Sequence, residues 1–339
     1  AAIAINRGLW HSRATFLFGI YLMFSRLSQS VILLAVIGLA GCQSTNSSTA
    51  QEPVKANSPF GQLIISEPLP IDFKKEVALA RISDFLTKED LTNEQRAKGF
   101  YDRGLLYDSF GLPSLARIDF NRALRVNPQM ADAYNFIGVH YTLIGQFDKA
   151  YEAFDATIEL APEHQYVYLN RGVSLHYGGK PKLAIEDLTK FHEFDKTDPY
   201  RVIWRYLAQN KLDKAGALKQ LRVSREGIEA NVWGRQIIDL FLMNISQAQF
   251  IDGLSRNIEN PTQLAERLCE AYFYLGVFAR MYDQPELALN YFKLALSTNV
   301  YEFVEHRFAR RELLETRLEL HKQKQIAHEK QQAEAGKSS

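Results

Sequence analysis

The sequence predicts an all-α solenoid, a stack of antiparallel helix pairs, and three observations carry that prediction. Small residues recur at a fixed interval: Gly104, Gly138 and Gly172 are spaced by 34, and so are Ala116, Ala150 and Ala184. Large apolar residues keep the same interval at Phe120, Phe154 and Leu188. Pro128 and Pro162 close the first two units, where a residue lacking an amide hydrogen ends a helix. A period of this size marks supersecondary units that bury their apolar faces only by stacking on one another.

The offsets inside each unit match the tetratricopeptide pattern of aromatic, apolar, Gly, Tyr, Ala, Phe, Ala and Pro. From Ala97 the first unit supplies Phe100, Gly104, Tyr107, Ala116, Phe120, Ala123 and Pro128, and only Arg103 departs, at the apolar position. From Ala131 the second supplies Tyr134, Ile137, Gly138, Tyr141, Ala150, Phe154 and Pro162, with Thr157 in place of one Ala. The third, from Gln165, is looser: Tyr168, Gly172, Leu175, Ala184 and Leu188. A fourth, from Cys269, gives Tyr272, Leu275, Gly276, Ala288, Phe292 and Ala295. Gly and Ala sit where the two helices of a unit approach, and a larger side chain there would cost about 1–3 kcal/mol in overpacking. The predicted class is therefore a tetratricopeptide-type helix-pair solenoid.

Taken in order, residues 1–41 read as an export signal. From Met23 a short head with Arg26 precedes the apolar run Val31–Leu39, far below the ~20 residues that span a bilayer. Residues 1–22 lie upstream of Met23 and read as an over-extension of the frame. Leu39-Ala40-Gly41-Cys42 matches the lipobox of bacterial lipoproteins, apolar, small, small, Cys, at the end of the apolar run. That match implies diacylglyceryl transfer to the Cys42 sulfur, cleavage before it, and acylation of the new amine. Several acyl chains, at about 0.8 kcal/mol per buried CH₂, make a stable membrane anchor. Gln43 is not the Asp that marks inner-membrane retention, so the expected destination is the periplasmic face of the outer membrane. Residues 42–66 are polar and read as a lipidated tether. A leading helix is expected within 67–96, because Asp72–Leu86 places Phe73, Val77, Ala80 and Phe85 on about one face. Three units fill 97–198. Gly276 follows Gly172 by 104, leaving room in 199–268 for two degenerate pairs: Tyr200–Ala208, Lys211–Leu221, Val232–Met243 and Ser246–Leu254. The fourth unit spans 269–302. Residues 303–339 hold a charged helix over Glu302–Lys322, then a polar tail expected to fray.

Charge and motif content bound the function. Three of the 40 Lys and Arg, and none of the 39 Asp and Glu, lie in residues 1–41, so the remainder is weakly acidic. Such a body has no electrostatic case for gripping nucleic acid. Of the two cysteines, Cys42 is assigned to lipid and Cys269 sits in an apolar helical pattern as a buried, inert thiol. No GxSxG, HExxH, Walker loop or paired-Cys motif occurs, so no enzyme activity, metal or cofactor is expected. Gly178-Gly179-Lys180 reads as a turn between helices. His140, His164, His176, His192 and His306 fall at spacings that form no metal cluster, and Val304-Glu305-His306-Arg307 reads as a mixed-charge patch on a helix surface. In tetratricopeptide arrays the first helix of each unit lines a concave groove. The residues between signature positions are therefore the partner-binding candidates: Lys98, Tyr101, Leu105 and Asp108, then Asn135, Val139 and Thr142, then Tyr166, Leu169, Val173 and His176. This apolar and neutral-polar mixture suits an extended peptide or a partner helix. Tyr101 and Leu105 stand where carboxylate-clamp domains carry Lys and Asn, which argues against capture of an acidic C-terminus.

Specific stretches go beyond the generic repeat. Leu106-Tyr107-Asp108-Ser109-Phe110-Gly111-Leu112, Ala150-Tyr151-Glu152-Ala153-Phe154-Asp155, Leu169-Asn170-Arg171-Gly172, Tyr177-Gly178-Gly179 and Phe303-Val304-Glu305-His306-Arg307 resemble the NlpI family of outer-membrane lipoproteins. The resemblance covers roughly residues 67–320. It implies a homodimeric adaptor that binds a periplasmic C-terminal processing protease and presents peptidoglycan endopeptidases for degradation, or scaffolds peptidoglycan hydrolases. Two other readings stand beside it: a tetratricopeptide lipoprotein of pilus (pilotin) or outer-membrane protein assembly, and an enzyme acting through His176 or His306.

Overall fold

The computed structural model describes residues 63–335, and all fourteen of its helices follow one another without an intervening strand among those residues. The export signal, Cys42 and nearly all of the tether lie outside the described residues. None of the described helices is long and apolar enough to cross a membrane.

The chain becomes helical at α1 (Phe73–Phe85), where the Asp72 carboxylate caps the Lys74 amide at 2.9 Å. Three regular pairs follow: α2 (Asn93–Ser109) with α3 (Pro113–Val126), α4 (Ala131–Leu143) with α5 (Phe147–Leu160), and α6 (Gln165–Tyr177) with α7 (Pro181–Phe194). Thr92 and Gln95 form a reciprocal capping box at the start of α2. Within each pair the turn passes through a left-handed residue: Gly111, Gly145 and Gly179 have φ of 71°, 77° and 74°. These glycines repeat at 34 as well, because only a residue without Cβ adopts that conformation freely. Pro113 and Pro181 then open the second helices, where no amide hydrogen is required.

The degenerate interval holds four helices: α8 (Pro199–Asn210), α9 (Lys214–Glu226), the short α10 (Trp233–Phe241) and α11 (Gln247–Asp252). The fourth regular pair is α12 (Pro261–Met281) with α13 (Pro285–Leu296). α12 starts two turns ahead of Cys269 because Asn260 caps the Gln263 amide and Pro261 follows at the first helical position. The last helix, α14 (Val304–Ala335), also runs past Lys322 where fraying was expected. Its distal half is rich in Gln, Lys, Ala and Glu, which are strong helix formers, and Gln325–Glu329 adds an i,i+4 contact of 3.1 Å.

The ends of the array are joined. The Leu69 amide donates to the Thr298 carbonyl at 3.0 Å, Tyr272 Oη donates to the Ile64 carbonyl, and Lys75 pairs with Glu302 at 3.0 Å. Leu69 packs on a buried cluster of Ala265, Cys269, Val300 and Phe303. Residues 64–75 thus tie the first unit to the last.

Candidate interaction surface

Each first helix should present its groove-facing side chains to a concave face, and the structure lays the chain's own α14 against the C-terminal ends of those helices. Arg307 donates to the Asp108 carboxylate near the end of α2, and Arg311 donates to the Thr142 carbonyl near the end of α4 at 3.3 Å. Tyr177, closing α6, stacks on Phe308 with ring centroids 5.1 Å apart and donates to Glu312 at 2.8 Å. Trp204 of α8 meets Phe308 edge-on at 6.1 Å, and Arg280 of α12 pairs with Glu312 and Glu319. α14 therefore crosses the C-terminal ends of the first helices. Arg307 and Arg311, about one turn apart, bring positive charge to ends whose last carbonyls lack helical partners.

Ten of the eleven groove candidates are buried or half-buried. Tyr101, Asp108, Asn135, Val139, Thr142, Leu169, Val173 and His176 are buried; Leu105 and Tyr166 are half-buried. The burial of these side chains differs from the open groove expected, and at Asp108 and Thr142 the spacing could not show that a helix up to 199 residues downstream lies against them. Tyr101 packs with Phe120 and Phe136, with centroids 5.7 and 6.4 Å away. Asn135 accepts from Asn170 at 3.0 Å, and Thr142 Oγ1 donates to the Gly138 carbonyl at 2.9 Å. Tyr166 lies 6.1 Å from Phe191. The His176 carbonyl accepts from Lys211 at 2.9 Å, and burial pushes its imidazole down to about 3. Lys98, the eleventh candidate, is exposed and pairs with Asp102.

Asp108 is the most constrained of these groups. Burial would raise its pKa, but the Arg307 guanidinium and the His140 Nε2–H, which donates at 2.8 Å, outweigh burial and hold the carboxyl below its ordinary value. The mixed-charge patch expected on the surface at Glu305-His306-Arg307 is likewise corrected: all three side chains are buried. A signal for this exists in the sequence, since Phe303, Val304, Phe308 and Ala309 flank the charges and are buried as well. Tyr177, Arg307, Arg311 and Glu312 were not among the candidates, although they hold the concave face together.

Openings remain among the described residues. One of about 250 Å³ lies between α6, α8, α12 and α14, with Trp204, Leu207 and Met281 beside Lys211, Arg280 and Glu315. A second of about 420 Å³ is formed by Met243, Ile245, Phe278 and Tyr282. Among the described residues no group of three or more His, Cys, Asp or Glu is placed to hold a metal. Cys269 is fully buried, and burial with Glu305 nearby pushes its thiol well above the usual range.

Comparison with known proteins agrees with the repeat. A tetratricopeptide-repeat family model matches residues 131–164, which span α4, α5 and the turn into α6. Among solved structures, MamA is 20% identical, with 47% of this chain and 96% of that one covered and a TM-score of 0.41. A tetratricopeptide repeat protein from Parabacteroides merdae is 16% identical, covering 71% and 92% at a TM-score of 0.47. YrrB, a tetratricopeptide protein with an unusual peptide-binding site, is 16% identical, covering 68% and 98% at 0.38. The assignment of an all-α, tetratricopeptide-type array rests on the chain's own repeat and on the family model. Such repeats belong to adaptors and scaffolds that bind other proteins.

Proposed function

We propose that this protein is a homodimeric adaptor, anchored by lipid on Cys42 to the periplasmic face of the outer membrane. It binds a periplasmic C-terminal processing protease and peptidoglycan endopeptidases, promotes degradation of the endopeptidases and so limits cell-wall remodelling. The observation that carries this reading is where the resembling stretches fall. Three of them, around Asp108, Tyr177 and Arg307, meet where α14 seats on the ends of the first helices. They support the NlpI-like build in its most particular feature, not only in its generic repeat.

With α14 lying across the C-terminal ends of the first helices, partners are received on the outer face. Leu115, Leu183 and Leu287 stand at equivalent positions one residue before Ala116, Ala184 and Ala288, and all three are exposed on second helices. A recurring exposed leucine supplies apolar contact area without a reactive group. The test is turnover of a purified endopeptidase by the protease as this protein is titrated in. Acceleration that is weakened by Leu115→Arg with Leu183→Arg supports the reading; a rate unchanged across the titration removes it. The anchor is checked separately by acyl mass on the first residue of the mature protein, and the dimer by light scattering.

A further inference from the structure

Away from the groove, two carboxyl groups are buried with no salt bridge among the described residues. Glu270 lies in α12 and Glu305 in the first turn of α14, 2% and 4% exposed. Glu270 Oε2 accepts from Tyr200 Oη of α8 at 2.7 Å and from Trp233 Nε1 of α10 at 3.0 Å. Glu305 Oε1 accepts from Tyr274 Oη of α12 at 2.8 Å. Among the described residues Glu270 Oε1 has no hydrogen-bond partner. The neighbouring charged groups place their hydrogen bonds elsewhere, and Arg267 acts on Glu270 through charge alone. Arg267 of α12 donates to the Leu254 and Arg256 carbonyls, and Arg307 of α14 donates to Asp108 and the Tyr301 carbonyl. Asp198 of α8 caps the Tyr200 amide, and on α10 Arg235 donates to the Ile228 carbonyl. His306, beside the pair on α14, donates to the Leu296 carbonyl of α13. Asp198 acts on Glu305, and Glu266 on Glu270, only as further negative charge.

Two ionised carboxylates in this position are disfavoured twice, by loss of water and by repulsion of each other. A protonated carboxylic acid is not, and it supplies a donor to a site that holds an unpartnered acceptor. The four helices around the pair come from separate parts of the chain: α8 and α10 from the middle of the array, α12 and α14 from its end.

We propose that Glu270 and Glu305 form a proton-dependent clasp that holds the middle of the array against its last unit and seats α14 on the concave face. Protonated, the pair closes the seam. Each carboxyl that ionises releases its proton to solvent and leaves a buried negative charge, so the seam loosens as pH rises. Burial and the Glu305 charge push Glu270 up, and burial pushes Glu305 up, both above the 4.5 of a solvated carboxyl. The sign follows: the closed form binds more protons, so closure is unopposed below pH 4.5 and weakens as pH rises through the raised values. Loosening uncovers Tyr177 and the residues beside it, so the clasp regulates access to the concave side.

Hydrogen exchange over Val304–Leu313, corrected for the intrinsic pH dependence of exchange, reads the seam directly. In the wild type we expect exchange about tenfold faster at pH 8.5 than at pH 6.5. In Glu270→Gln with Glu305→Gln the two rates should agree, while exposed Glu229→Gln keeps the wild-type response. No pH response in the wild type, or an undiminished response in the double variant, overturns the clasp. Should the double variant not fold, the infrared carbonyl band of the wild type decides. A buried protonated-acid band present at pH 6.5 and lost by pH 8.5 supports the proposal, and its absence at pH 6.5 overturns it.

Discussion

At Gly138 a single missing methyl sets the distance between two helices. A Cβ there would lie 2.5 Å from Phe154 Cε1, and the same clash recurs at Gly104 with Phe120, Gly172 with Leu188 and Gly276 with Phe292. In all four units the first helix rests directly on the apolar side chain of the second. Gly138→Ala must displace a ring that is itself fully buried, so urea denaturation should show a loss of about 1–3 kcal/mol. Gly179 isolates the other role of glycine: nothing lies within 4 Å of its missing Cβ, but its φ is +74°. Gly179→Ala should therefore cost about 1 kcal/mol, from backbone alone. A second residue-scale effect concerns protons. Burial pushes His306 down to about 4 and keeps it neutral, with Nε2–H on the Leu296 carbonyl at 3.1 Å. For a base held below its unfolded value of 6.5, the contribution is present above 6.5 and is lost as pH falls toward 4. The stability gap between wild type and His306→Gln should accordingly shrink from pH 7 to pH 4; a gap that stays constant would refute the assignment.

Within an element pair, the one position that breaks the repeat in the first unit explains itself. Arg103 forks onto Asp119, Nε at 2.5 Å and Nη2 at 3.0 Å, and Arg171 does the same to Asp187, both bonds at 2.7 Å. In the second unit the equivalent positions are Ile137 and Ala153, an apolar pair in the same place. The two solutions are exchangeable as pairs and not as singles. Arg103→Ile leaves Asp119 buried with only Arg122, at 3.0 Å, and should cost about 1.5–3 kcal/mol. Adding Asp119→Ala should recover at least half of that, a coupling that a double-mutant cycle reads directly. This example also marks how far the sequence could be read. The 34-residue interval placed the paired helices because each unit is stabilised mostly by contacts within itself and with the next. It did not distinguish Arg103 as a partner from Arg103 as a defect, since the pairing is visible only once Asp119 is seen one helix away. Four helices in 199–268 were legible from apolar runs, whereas the early start of α12 lay in Asn260-Pro261, a capping signal outside the repeat.

Over the whole molecule the decisive contacts are those the period cannot encode. Asp108 and Arg307 are 199 residues apart, and Tyr272 and Ile64 are 208 apart. An array of this kind needs its terminal faces covered. Here the leading segment lies on the last unit, and α14 covers both α13 and the ends of the first helices. The groove candidates are buried mostly by the array itself, as Tyr101 is by Phe120 and Phe136 and Asn135 by Asn170, while α14 adds its contacts at Asp108 and Thr142. The proximal and distal halves of α14 should then behave differently when removed. Beyond Lys322 the described side chains are exposed, so a chain ending there should melt with the full-length protein. Ending the chain at Phe303 instead removes Val304, Phe308 and Leu313, each buried and each contributing about 1.5–3 kcal/mol. It also leaves buried Asp108 with His140 alone and strips Arg280 of its Glu312 and Glu319 partners. The combined loss is comparable to the ~5–15 kcal/mol that holds a typical domain folded. That shorter chain should lose its cooperative thermal transition and bind a hydrophobic dye, and a sharp melt retained without α14 would show that the helix pairs close without it.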